Sequence, residues 1–133
     1  MNVLFLLTPK KDVDFLFGDF TVRQAIEKMK EHRYTMIPVI DRKSGKYLYS
    51  MREGDFLYYL MENRLSFEDL EHIPLSNILP SRSIVPVTIE CESTTLYSTI
   101  AGQNYVPVVD DQGTFIGIVT RKAVMKDLLG SAK

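Results

Sequence analysis

Cysteine is nearly missing from this chain: Cys91 stands alone, so no disulfide can close within it, which agrees with a reducing compartment. Long apolar runs are missing too, and without 18 such residues in a row no membrane-spanning helix is expected. The apolar stretch from Asn2 to Leu7 is too short for a signal peptide and lacks its basic flank, which makes the cytoplasm the expected location. Excess charge of either sign is absent. Sixteen basic residues against 17 acidic ones give a net charge of -1, which offers no footprint for nucleic acid or an anionic membrane.

The signatures of catalysis are equally scarce. There is no G-x-x-x-x-G-K loop, no G-x-G-x-x-G and no G-x-S-x-G elbow; the seven glycines are scattered as turn residues. His32 and His72 lie far apart with no cysteine or carboxylate at ligand spacing, so no metal site is expected. Asp110-Asp111 falls in a turn, where aspartate is favoured for turn chemistry alone. Glu90 and Glu92 flank Cys91 and should raise its thiol pKa, which argues against a nucleophile. The expectation is a protein that is not an enzyme and carries no catalytic cofactor.

What is present is one pattern written twice within 133 residues, 45% of them hydrophobic. Tyr105-Val106-Pro107-Val108-Val109-Asp110 runs to Gly113, and Phe115 to Thr120 then leads into Arg121-Lys122-Ala123. Upstream, Met36-Ile37-Pro38-Val39-Ile40-Asp41 runs to Gly45, and Tyr47 to Met51 leads into Arg52-Glu53-Gly54-Asp55. Phe56, Leu57, Leu60 and Met61 match Val124, Met125, Leu128 and Leu129 at one fixed spacing. A repeat of this length decides the fold before any single residue is weighed.

Thr21 precedes a clean helical spacing of Val22, Ala25, Ile26 and Met29, and Thr94-Thr95 opens a counterpart about a turn shorter. Strands are expected over Val13 to Phe17, Met36 to Ile40, Lys46 to Met51 and Ile84 to Ile89, the last demoted towards an edge by Pro86. Gly54 to Asn63 reads as a helix apolar nearly all round. Between the repeats, Ser66 with Asp69 suggests a capped short helix that Pro74 stops. The division is residues 1–63, a helical connector 64–77, and 78–133. Neither half has enough apolar surface alone, so the expected class is α/β (α+β), two β-α-β-β-α units packed sheet against sheet about a pseudo-twofold axis.

On these residues the chain resembles a tandem pair of CBS domains, the Bateman module. Thr8-Pro9, Ile37-Pro38-Val39, Val106-Pro107-Val108 and Gly117-Ile118-Val119-Thr120 carry the resemblance. It implies a regulatory module that binds adenosine derivatives in clefts between the repeats and commonly dimerises into a flat disc. It also implies a Thr or Ser three residues before an Asp at the final helix start of each repeat. This sequence splits that pair: Asp55 is preceded by Arg52, while Thr120 is followed by Ala123.

A nucleoside needs an apolar slot, a carboxylate for the ribose hydroxyls, and cations or N–H groups for phosphate. The expected first site therefore combines Asp55 and Arg52 with Thr8, Pro9 and Lys10 and with Met36, Ile37 and Pro38. The expected second site combines Pro80, Ser81 and Arg82 with Tyr105, Val106 and Pro107 and with Thr120, Arg121 and Lys122. Candidate ligands are AMP, ADP, ATP or another adenosine derivative. Expected partners are a second copy of the chain, through Phe56 to Met61 and Val124 to Leu129, and an effector protein of unknown identity. The competing reading is a dimerising scaffold whose pockets have decayed.

Overall fold

The computed structural model describes residues 2–131. In chain order its strands and α-helices are β1 (Thr8–Pro9), β2 (Leu16–Phe17), α1 (Val22–His32), β3 (Met36–Ile40), β4 (Tyr47–Arg52), α2 (Glu53–Glu62), β5 (Val87–Thr88), α3 (Ser93–Ile100), β6 (Tyr105–Val109), β7 (Phe115–Thr120) and α4 (Arg121–Ser131). Among the described residues they form two compact units, Asp14–Ser83 on one hand, and residues 2–13 together with 84–131 on the other.

In the unit Asp14–Ser83 the sheet order is β2-β3-β4, with β2 parallel and β4 antiparallel to the central strand. All five residues of β3 are buried, as expected of a strand covered on both faces. The core under it joins Leu16, Val22, Ala25, Met29, Ile37, Met51 and Phe56 to Leu70 and Leu75 of the connector and to Ile78 just after it. Helix α1 starts where the sequence places it: Thr21 accepts the Gln24 N–H, and the Gln24 side chain accepts the Thr21 N–H in return. Such a cap contributes about 1 kcal/mol.

The connector is structured rather than loose. Phe67–His72 is a 3-10 helix entered through Ser66, whose N–H and hydroxyl both donate to Asp69, holding that carboxyl below its ordinary pKa. The Val22 N–H donates to Ile73 O and the Leu75 N–H to Phe20 O, each at 2.8 Å, so the connector pairs with the entrance of α1. Arg23 adds an ion pair with Glu71 and lies over the Phe67 ring at 5.0 Å.

In the other unit the order is β1-β7-β6-β5. Its core gathers Val3, Val87, Leu96, Ile100, Val106, Val108, Val119 and Val124. One segment gains a structure here and two sequence expectations change. The apolar segment at Val3 is a 3-10 turn, Val3–Phe5, that buries Val3. The strand expected over Ile84 to Ile89 shrinks to Val87–Thr88 at the sheet edge, because Pro86 has no N–H to donate to a ladder. Helix α3 begins at Ser93 after Glu92, which leaves both threonines inside it, where the Thr99 hydroxyl donates back to Thr95 O.

The repeat survives in three dimensions down to its irregularities. The β3/β4 ladder slips between Val39 and Ile40, and the β6/β7 ladder between Val108 and Val109. Gly45 and Gly113 close the two turns at φ 75° and 82°, each N–H donating to the carbonyl of Asp41 or Asp110. Glycine suits this left-handed conformation because it has no Cβ to clash.

Candidate functional site

In each unit the strand order brings the start of one strand against the end of the next, just where a helix begins. Met36 pairs with Arg52 and Tyr105 with Thr120. A backbone tie fixes each junction: the Glu53 N–H donates to Thr35 O at 3.1 Å, and the Arg121 N–H to Asn104 O at 3.0 Å. Met36, Ile37 and Pro38, like Tyr105, Val106 and Pro107, are buried along their strands. Two helix N-termini therefore sit beside apolar strand starts, and a helix N-terminus favours negative charge.

The two junctions are capped by opposite halves of one device. At the first, Asp55 in the third position of α2 accepts the Arg52 N–H at 2.8 Å. At the second, the Thr120 hydroxyl accepts the Ala123 N–H at 3.0 Å. A complete capping box needs both partners in one helix. Arginine is a donor only and alanine has no polar side chain, so each repeat keeps the half that the other lost.

Asp55 is only 7% exposed. Its Oδ2 holds the Arg52 amide, and its Oδ1 accepts the Ser81 N–H at 3.0 Å. Arg52 is half-buried, and its Nε is buried with no hydrogen-bond partner among the described residues. An unmet buried donor of this kind costs about 1–3 kcal/mol, and an anion's oxygen would satisfy it.

The flanking segments fall in different units. Thr8 and Pro9 pair with Ile118 and Gly117 of β7, in the same unit as Tyr105 and Thr120, and Ile118 also faces Pro107. Lys10 follows directly, half-buried in the short turn Lys10–Asp12. Pro80, itself half-buried, and Ser81 belong to the unit of Asp55. Within that unit Ser81 supplies a backbone N–H to the Asp55 carboxylate. The antiparallel pairing of β1 with β7 joins residues more than a hundred positions apart. Arg121 is exposed, and its guanidinium donates to Gln103 O at 2.9 Å, so a local carbonyl already meets the cation at this helix start. The carbonyls of Thr35, Gln103 and Asn104 carried no signal in the sequence, since any residue can present one.

Each unit also has an apolar groove between its two helices. One, of 390 Å³, lies between α1 and α2 and is lined by Ile26, Met29, Phe56, Leu57 and Leu60. The other, of 360 Å³, lies between α3 and α4 and is lined by Tyr97, Ile100, Val124, Met125 and Leu128. Of the expected ligand residues, Arg121 alone borders either groove. Among the described residues no cluster of His, Cys, Asp or Glu is placed to hold a metal ion, and no helix is long and apolar enough to cross a membrane. The Cys91 thiol is pushed up by burial.

Residues 6–62 and 76–130 each match the model of the family described as CBS domain. No curated protein sequence matches the chain. Among solved structures, a hypothetical conserved protein from Geobacillus kaustophilus is 25% identical with a TM-score of 0.87, covering 98% of both chains. The CbpB protein of Listeria monocytogenes, solved in complex with c-di-AMP, is 19% identical with a TM-score of 0.85, over 97% of this chain and 96% of that one. CBSX2, solved in complex with AMP, is 22% identical with a TM-score of 0.77, over 99% of this chain and 98% of that one.

Proposed function

Since this chain belongs to the CBS domain family, with two copies of the domain in tandem, we propose that it is a regulatory module that binds an adenosine-containing nucleotide and signals to a partner protein. The observation that carries the reading is the buried Asp55 carboxylate at the start of α2, beside the apolar strand start at Met36. A carboxylate accepts two hydroxyl hydrogen bonds from a ribose diol, and Met36, Ile37 and Pro38 supply apolar surface for a base. Arg52, with an unmet Nε donor, takes the phosphate. The nucleotides bound by CbpB and CBSX2, c-di-AMP and AMP, support this ligand class.

In the other repeat Ala123 leaves the helix start without a carboxylate, so one strong site per chain is expected, with Thr8, Lys10, Thr120 and Arg121 confined to a weaker phosphate contact. Signalling follows from population shift: the ligand favours whichever arrangement of the chain binds it better, and only differential affinity can do this. The exposed apolar residues Leu57, Tyr58 and Met61 of α2, and Met125, Leu128 and Leu129 of α4, suit burial against a second copy of the chain. The readout then falls to a separate effector protein, and no chemistry at the site calls for an enzyme.

A second reading, a dimerising scaffold without ligand, is favoured by one specific fact: both Asp55 oxygens already accept a backbone N–H. Thermal melts with adenosine, AMP, ADP, ATP, c-di-AMP and S-adenosylmethionine separate the two. Ligand at a hundred times its dissociation constant adds about 2.7 kcal/mol. A shift that Asp55→Ala abolishes, measured against that variant's own baseline, supports the nucleotide module. No shift with any of the six supports the scaffold. Arg52→Ala should erase any preference for AMP over adenosine, and a retained preference removes Arg52 from the phosphate contact.

A further inference from the structure

The hydrogen bond from Ser81 to Asp55 joins residues 26 apart, whereas the bond from Arg52 to Asp55 spans one helical turn. These two ties differ in how easily they part. The Arg52 amide is held at the turn by the capping geometry of α2 itself. Ser81 sits in the stretch Leu79–Ser83, which has no regular secondary structure; Leu79 is 83% exposed, and Ser81, Arg82 and Ser83 are exposed as well. Ile78 before the stretch and Ile84 after it are both buried. Five residues are thus strung between two apolar anchors, and the carboxylate grips them near their middle. The same stretch is where the chain leaves the unit Asp14–Ser83 and enters the one that resumes at Ile84.

We propose that the Asp55–Ser81 hydrogen bond is a latch that a bound ribose opens. The inference rests on the reading of Asp55 as the ribose acceptor. A carboxylate buried to this degree presents little free surface, and a diol donating to Oδ1 competes with the N–H already there. Arg52 keeps Oδ2 in place throughout, so the helix cap survives while Ser81 is let go. Ligand occupancy is thereby converted into freedom of Leu79–Ser83, a stretch whose movement is handed on covalently to the unit that resumes at Ile84. The latch also lowers affinity, because each ligand has to break a charge-assisted hydrogen bond before its own is fully made.

Amide exchange followed by NMR on the intact chain tests this residue by residue, with AMP and c-di-AMP as the probes. Without ligand, the Ser81 and Arg52 amides should both exchange slowly. With a probe that raises the melting temperature, Ser81 should exchange at least tenfold faster while Arg52 stays protected. A Ser81 amide that stays protected, or becomes more so, in a complex that demonstrably forms overturns the latch and leaves the nucleotide reading standing. A Ser81 amide unprotected in the free chain also overturns the latch alone. If neither probe binds, both fall together. Ser81→Pro gives an independent measure, since proline has no N–H to donate. Its ligand affinity should rise about tenfold, the equivalent of one hydrogen bond to a charged group; a weaker affinity in the folded variant overturns the proposal.

Discussion

Gly117 of β7 faces the carbonyl of Thr8 so closely that a Cβ on its α-carbon would overlap the Thr8 oxygen and press on the Leu7 side chain. The pairing of β1 with β7 depends on this missing methyl group. Because the obstacle is backbone, it cannot rotate aside. Gly117→Ala should therefore destabilise the chain by about 2 kcal/mol or more, within the range for overpacking a tight contact. Chemical denaturation would measure it; a change below about 0.5 kcal/mol would mean that β1 is not bound tightly to β7.

Alkaline pH should expose a second weakness. Burial pushes the Tyr47 hydroxyl up to about 12, and the bond to Asp14 at 2.5 Å pushes Tyr34 up to about 12 as well. A tyrosine whose folded pKa lies above its unfolded value of about 10 contributes stability that is complete below pH 10 and is lost as pH rises towards 12. Tyr47, the more deeply buried, carries most of it, of order 2 kcal/mol. Unfolding free energies at pH 9 and 11.5 should differ by less in Tyr47→Phe than in the parent chain.

Ala123 stands where a carboxylate would complete the Thr120 cap. Ala123→Asp should strengthen the start of α4 by a few tenths to about 1 kcal/mol, since an acid in the first turn complements the helix dipole. On the reading of Asp55 given above, it should also raise the adenosine-nucleotide stoichiometry from one to two per chain. Chemical denaturation reads the first and calorimetric titration the second. A more stable helix with unchanged stoichiometry would show that the carboxylate at this position serves the cap alone.

On the proposal that α2 and α4 pair with a second copy of the chain, their exposed apolar residues are the place to test it. Leu57→Glu combined with Leu128→Glu places a charge on each exposed face, at positions 53% and 44% exposed, where the substitutions should leave the fold intact. Sedimentation at micromolar concentration should show a dimer for the parent chain and a monomer for the double variant. A parent chain that sediments as a monomer would overturn the dimer.

What the sequence determined by itself is everything that repeats or is local. Val39 and Val108 belong to five-residue apolar runs that repeat as strands, Thr21 and Gln24 cap a helix across three residues, and the two Asp-to-Gly turns follow from chemistry within five positions. The pair Arg52 and Ala123, each out of pattern, also showed where two candidate sites differ. The partner of each site could not be read this way. Which sheet takes up the first strand has no local signal, because a two-residue strand such as Thr8–Pro9 has no periodicity to announce its partner. That choice is made by the close approach that Gly117 permits and by the buried Val3, which fasten the start of the chain onto the second repeat's sheet. Only tertiary structure brings residues 8 and 118 together, and 55 and 81, because such pairings are decided by the packing of whole elements and not by any stretch of chain read alone.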